Sequence, residues 1–414
     1  MLVTALVASL AAGSAASVSP AETHQAHDSR AGIGGFVVVS DSEILADGVR
    51  YTSWQALADS GYFHQDDTRC ATFTTFDPAD PGIALRGVPN DCSLNNTNPA
   101  AAYAPSVAKY RIPVVVHVIQ NTSGTGFISA ARVESQIDVL NEDFLALAGS
   151  NGAPGFDAQI EFYLATEDPS GNPTTGITYT TNNTWFNDSG TYYNTLNWDT
   201  DRYLNIYTNS ASGALGYVPG LPQEGIVGSN SDRVVILYST FGRNAPLSPY
   251  NLGRTATHEV GHYLGLFHTF DGGCASAASC STNGDRVCDT NPEASPTFGC
   301  PGSRTTCGVP APFNNYMDYT DDACMNRFTA NQSYRMRCTL INYRPSLYEI
   351  ATNSNEPCNG ADVAPPYGTL DFFDVSNFLL LYNIGDQLAD LVDDNVFNFF
   401  DVSAFLAQYN AGCP

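Results

Sequence analysis

Thr257 to His268 reads THEVGHYLGLFH, a run of residue types able to hold a metal and move a proton. His258 and His262 are four apart, so on a helix both imidazoles leave from one face and can grip one ion. Glu259, beside the first histidine, can reach a water held at that ion without itself binding it. Gly265 lets the chain leave the helix sharply, which returns His268 as a third ligand. Three neutral imidazoles leave a fourth position open, the mark of a catalytic zinc site; structural sites are closed by four protein ligands. The bland alternative is a helix whose histidines are satisfied by backbone or carboxylate partners. The added Gly and His at fixed spacing have few such uses.

Elements that would position this segment lie upstream. Tyr110 to Ile119 (YRIPVVVHVI) is β-branched and short enough for a buried strand. From Ser129 to Leu147, Val133, Ile137, Leu140, Phe144 and Leu147 recur at helical spacing, which predicts an amphipathic helix. Ile160 to Ala165, Tyr203 to Tyr207 and Arg233 to Leu237 are further strand candidates. Strand, helix, strands and a second helix describe an α/β (α+β) domain. Residues 271–347, richer in Gly, Pro, Cys and Asp, predict an irregular subdomain held by disulfides.

Composition bounds the environment. Lys plus Arg total 17 against 42 Asp plus Glu, a formal charge of -25, which argues against nucleic acid or an anionic membrane as partner. No segment approaches the 18 or so apolar residues of a membrane span. Eleven cysteines suit disulfides made after export, and the odd total leaves at least one unpaired. Residues 1–18 have the apolar core and small-residue end of an export signal, though without a basic start. The expected organisation is that signal, a loosely organised leader at 19–105, the catalytic domain at 106–347, a polar linker at 348–357 and a terminal module at 358–414.

The extended histidine pattern is that of the metzincin metalloproteases, and other segments narrow the resemblance. Met317 sits in Asn315-Tyr316-Met317-Asp318-Tyr319, similar to the Met-turn beneath the metal in that clan. Gly284 to Thr290, Phe298 to Pro301 and Asp321 to Met325 follow in compatible order, and the helix above ends in Asn141-Glu142-Asp143-Phe144. Over roughly residues 108–340 the chain resembles the pappalysin family. The resemblance implies a twisted mixed sheet with a backing helix and an active-site helix. It implies His258, His262 and His268 as zinc ligands, Glu259 as general base, Met317 as the Met-turn residue and Tyr319 as a transition-state stabiliser. Asp322 matches the acid at the base of the pocket for the side chain after the cut bond, which implies cleavage before Arg or Lys. Asp285, Asp289 and Thr290 match calcium ligands, although Asp-Thr-Asn-Pro replaces the family's Asp-Thr-Pro. A Cys300–Cys324 disulfide is implied, as is one from Cys307 to either Cys274 or Cys280; Cys288 and Cys338 have no assigned partner. Residues 19–105 become a prosegment, in which Cys70, within Thr68 to Thr72, resembles the thiolate that blocks the open zinc position. A Cys70–Cys92 disulfide is the competing reading. Substrate would be a protein or peptide laid along a sheet edge around Gly213 to Tyr217.

The last stretch contains a duplication: Phe372 to Ser376 (FFDVS) recurs as Phe399 to Ser403, followed in each copy by Phe-Leu and Tyr-Asn. It resembles dockerin-type duplicated calcium loops, which implies a small all-α module with a cohesin-like or surface partner. In the second loop Asp390, Asp394, Asn398 and Asp401 stand at ligand positions, but Val392 and Asn395 break the pattern. Cys358 and Cys413 bracket the module. Two function classes are then in competition: a secreted zinc endopeptidase, with a metzincin of different specificity as the runner-up among enzymes, and a non-catalytic surface or assembly protein on the same scaffold. An intact Glu259 argues against the second.

Overall fold

The computed structural model describes residues 36–72, 91–98, 103–105, 109–351, 358–364, 370, 372–392, 394 and 396–413. The export signal expected at 1–18 lies outside them.

The leader departs from its sequence reading. Val37–Ser40 (β1), Glu43–Ala46 (β2) and Val49–Tyr51 (β3) form an antiparallel sheet, followed by helices Trp54–Asp59 (α1) and Asp66–Arg69 (α2). Ser53 caps α1 by accepting from Ala56 N at 3.0 Å. Trp54, Leu57, Tyr62 and Phe63 are buried in the same apolar cluster as the catalytic sheet. Strands of three or four residues are too short to show a period in the sequence, so a folded unit read as loose.

The catalytic domain runs β4 (Lys109–Gln120), α3 (Ala130–Phe144), β5 (Ile160–Leu164), β6 (Ile177–Thr181), the one-turn helices α4 (Asn183–Phe186) and α5 (Tyr193–Leu196), and β7 (Leu204–Asn209). It continues through β8 (Gly216–Tyr217), β9 (Val234–Leu237), α6 (Arg254–Tyr263), the hairpin β10 (Thr305–Thr306) and β11 (Val309–Pro310), α7 (Ala330–Tyr343) and β12 (Glu349–Ala351). β4 is the axis of a mixed sheet: β5 and β6 pair in parallel with its two halves, and β7 pairs with Val114 to Val118. β9 lies parallel to β7, and β8 closes that side antiparallel, as an edge. β12 adds antiparallel to Lys109–Arg111, so residues 349–351, read as linker, belong to the sheet. Three residues offer no alternation to read; pairing with β4 decides them.

Two helices bring the chemistry to this sheet. α3 starts at Ser129, whose hydroxyl accepts from Arg132 N, and buries Val133, Ile137, Leu140 and Phe144 as its periodicity requires. All 10 residues of α6 are buried, including Arg254, Thr257, His258, Glu259 and His262. So much buried polarity is tolerable only when it is paired. Asp143 of α3 supplies much of the pairing. It is fully buried and accepts from Arg254 Nη2 at 3.1 Å, Thr257 Oγ1 at 2.7 Å and Tyr316 Oη at 2.6 Å. One carboxylate thus ties α3, α6 and the segment before Met317 together.

Beyond the sheet, α8 (Phe372–Ile384) and α9 (Phe399–Ala411) pack through Phe378 and Phe405, with ring centroids 4.1 Å apart. Cys358–Cys413 closes this module.

Replacing Asp143 by Ala strands a buried guanidinium and two hydroxyls, so we expect a loss of about 3–5 kcal/mol. Denaturant unfolding measures it, and a loss below about 1 kcal/mol would contradict the bridging role.

Candidate active site

α6 runs through Tyr263 and stops because Gly265 takes a left-handed conformation, φ 89°. A Cβ there would also lie 2.5 Å from Gln223 Nε2 and 2.6 Å from Thr339 Oγ1. The turn swings His268 back, so that His262 Nε2 lies 3.1 Å from His258 Nε2 and 3.0 Å from His268 Nε2. The opposite nitrogens are engaged: His258 Nδ1 with Tyr316 O at 2.6 Å and His262 Nδ1 with Leu266 O at 2.8 Å. A carbonyl can only accept, so each of these Nδ1 atoms carries the hydrogen and each Nε2 presents a lone pair. Burial and then the neighbouring imidazoles hold His258 well below the ordinary range; burial and His268 bring His262 down to about 3. Three imidazole nitrogens gathered round one point make a donor set that fits a tetrahedral cation. His258, His262 and His268 could hold it.

Cys70 completes the group. Its Sγ and one nitrogen of each histidine all lie within 4.8 Å of one another. It is buried and is the free cysteine among the described residues, because Cys92 bonds to Cys338 and not to it. The thiol donates to Glu259 Oε2 at 3.5 Å, and Thr72 Oγ1 donates to the same oxygen at 3.0 Å. Glu259 Oε1 has no hydrogen-bond partner among the described residues. Burial pushes Glu259 up to about 7, with the Cys70 and Thr72 bonds opposing it, and raises the Cys70 thiol well above its usual range.

The remaining sequence-derived residues fall as follows. Met317 lies under α6, where a Cβ on Gly261 would meet its sulfur at 2.5 Å. Tyr319 Oη is 3.2 Å from His268 Nε2, and burial, followed by the Cys70 and Glu259 charges, raises its pKa well above the usual phenol range. Asp322 is fully buried; Oδ2 accepts from Leu252 N at 2.8 Å and Arg254 N at 3.2 Å, while Oδ1 has no partner among the described residues. Asp285 accepts from Val287 N at 3.0 Å and Thr290 Oγ1 at 2.5 Å. Asp289 accepts from Asn331 N of α7 at 2.9 Å. Disulfides join Cys300 to Cys324, Cys274 to Cys307 and Cys280 to Cys288. In the terminal module Asp390, Asp394, Asn398 and Asp401 accept from the backbone amides of Asp394, Val396, Phe400 and Val392 respectively. Val396 O, a carbonyl the loop pattern would offer to calcium, accepts from Asn398 Nδ2 at 2.9 Å.

Sequence reasoning missed Asp143, Thr72 and Arg69. Asp143 had a signal: with Gln136, seven residues earlier, it is a polar residue on the buried stripe of α3. Arg69 and Thr72 flank Cys70, but nothing local shows where they point.

A family model described as pregnancy-associated plasma protein-A, the pappalysins, matches residues 188–341. An extracellular metalloprotease of Colletotrichum graminicola is 37% identical over 256 residues, 59% of this chain and 82% of that protein. Extracellular metalloprotease 1 of Coccidioides posadasii is 36% identical over 255 residues, with 59% and 82% covered. The chain belongs to the pappalysin family. Among solved structures this pappalysin is similar to a Tannerella forsythia promirolysin mutant (40% identity, TM-score 0.50, 58% of this chain and 84% of that one). It is also similar to mirolysin in complex with compound 9 (41% identity, TM-score 0.51, 58% and 96% covered). It is a secreted zinc metalloendopeptidase, like relatives named for extracellular metalloprotease activity.

In an open helix Gly261→Ala would stabilise by about 1 kcal/mol. Against Met317 Sδ the added methyl has no room, and we expect a net loss of about 1–3 kcal/mol. Thermal unfolding of Gly261→Ala, Met317→Ala and the double variant checks this; simple additivity would show that the two do not touch.

Proposed function

We propose that this pappalysin is made as a latent zymogen and, once activated, cuts peptide bonds before Arg or Lys. The observation that carries this is the meeting of Cys70 Sγ with His258, His262 and His268 beside Glu259, all buried. Zinc held by the three histidines supplies Lewis acidity to the scissile carbonyl and to a water. Glu259 takes the water's proton on a carboxylate oxygen and delivers it to the leaving amine. Tyr319, kept protonated by burial, donates its hydroxyl hydrogen to the oxygen on which charge develops. The β8 edge orients an extended chain by main-chain bonds; Leu215 N now donates to Thr68 O, and Ala71 N to Gly216 O, at 3.0 Å each.

The leader supports the side-chain preference. Arg69 is fully buried, its Nη2 donates to Thr320 O at 3.2 Å, and its guanidinium lies 4.8 Å from the Tyr250 ring centroid. Burial pushes Asp322 up, and the Arg69 charge is the first to offset it. An arginine of the chain itself is therefore buried within electrostatic reach of Asp322. Latency follows from the same segment, because with zinc bound to the three histidines the Cys70 thiolate would be a soft fourth donor and would exclude water.

A structural calcium at Asp285 and Thr290 belongs to the same reading. Burial pushes Asp285 up to about 7, with Asp271 and Asp289 adding to it, a balance that a hard cation would reverse. Calcium should raise the melting temperature of the wild type and not of Asp285→Asn; equal response would remove the assignment.

Profiling of the activated chain on a randomised peptide library should show cuts before Arg and Lys. Chelation should abolish cleavage, and Glu259→Ala should lower kcat by about 10²–10⁴. Asp322→Asn should cost about a hundredfold in kcat/KM for Arg substrates and less for neutral ones. Cys70→Ser should shorten the lag before activity appears. Metal-dependent cleavage with another preference would overturn the pocket assignment alone.

A further inference from the structure

Residues 36–72 and residues 91–98 both lie in the leader, yet they are held differently. The first stretch meets the catalytic domain by packing and hydrogen bonds, and its cysteine is free. The second is bonded: the fully buried Cys92 is joined to Cys338 on α7.

Around that bridge the second stretch reaches the turn that carries His268. Arg335 of α7 is fully buried, and its hydrogen bonds among the described residues go to neutral oxygens. Its Nε donates to Gly265 O at 2.7 Å, Nη2 to Ser93 O at 2.9 Å, and Nη1 to Thr97 Oγ1 at 2.5 Å and Asn96 O at 3.4 Å. Phe267, immediately before His268, is covered by Leu94 and Leu221. The Arg335 and Arg286 guanidiniums stand 4.9 and 4.8 Å from its ring centroid, and Arg286 Nε donates to Leu94 O at 3.1 Å. Gln223, which crowds Gly265, donates to Cys92 O at 3.0 Å. Without residues 91–98, Arg335 keeps Gly265 O and loses its other acceptors. A buried cation in that condition is not tolerated, so the turn would rearrange.

We propose that residues 91–98 are part of the mature enzyme: a disulfide-anchored strap that positions the His268 turn, with activation cutting between Thr72 and Asp91. The cut releases Arg69 and Cys70 and leaves the strap in place. This moves the boundary of the releasable segment from 105 to before Asp91. The inference rests on the zinc-centre reading above.

The test places a recognition sequence for an exogenous site-specific protease in the full chain, either between Thr72 and Asp91 or at 106–108. Each cut protein is examined by intact mass without reductant, by peptide cleavage and by the visible absorption of its cobalt(II) form. The first cut should switch activity on. The second should leave it off, because Cys92–Cys338 still joins the leader to α7. Adding Cys92→Ser to the second lets residues 1–105 leave. Relative to the first-cut protein, which has also lost Cys70, the cobalt band should then shift and metal affinity fall about ten- to a hundredfold. Full activity with an unchanged band after that loss would overturn the strap, as would activity from the second cut with the disulfide intact. Should Cys92→Ser fail to fold, Thr97→Val in the first-cut protein removes one acceptor of Arg335. It should weaken metal binding about tenfold with KM unchanged, and unaltered metal binding would again overturn the strap. If no form takes up cobalt, the zinc-centre reading itself fails.

Discussion

His262 Nε2 is held 3.1 Å from His258 Nε2 and 3.0 Å from His268 Nε2, and such an arrangement does not arise unless the protein enforces it. Two imidazoles are fixed from behind by the carbonyls of Tyr316 and Leu266. The third depends on a turn that only glycine fits and on Asp271 Oδ2, which accepts from His268 N at 3.0 Å. Each restraint is anchored further out. Tyr316 is tied to Asp143 on α3, Gly261 rests on Met317, and Thr269 N donates to Met317 O at 3.2 Å. The sheet behind them serves to fix where α3 and α6 cross, and Asp143 couples that crossing to the ligands. Outer partners of this kind set the orientation and basicity of metal-binding imidazoles.

The leader exploits the same centre in two ways. Its segment 68–72 lies on the β8 edge, with the Arg69 guanidinium 4.8 Å from the Tyr250 ring centroid and Cys70 against the histidines and Glu259, the arrangement that the proposed latency requires. Residues 91–98 instead buttress the turn behind His268. In the proposed zymogen, inhibition and support are thus consecutive in sequence and opposite in effect, with the disulfide to Cys338 in the supporting part.

The meeting of His258, His262 and His268 was legible because they lie within one short stretch, where helical spacing and one glycine determine the geometry. β4 and α3 were legible too, since long β-branched and amphipathic runs carry their own period. What escaped depends on pairing across the chain. β12 and the leader sheet are too short to show a period, and Cys92 finds Cys338 across 246 residues. Composition cannot register that Ser93, Asn96 and Thr97 are acceptors for a buried arginine on α7. The terminal duplication was plain in sequence. Its acidic side chains are engaged with their own loop's backbone amides, an arrangement that spacing alone does not distinguish from calcium ligation.

The central claim is that three imidazoles and the Cys70 sulfur share one zinc ion in the latent chain. X-ray absorption at the zinc edge, on the full chain before and after activation, tests it directly. The latent form should show one sulfur at about 2.3 Å and three nitrogens at about 2.0–2.1 Å, and the activated form should lose the sulfur and gain a light atom. A latent form with no sulfur neighbour, or a sulfur that persists in the active enzyme, would contradict the account.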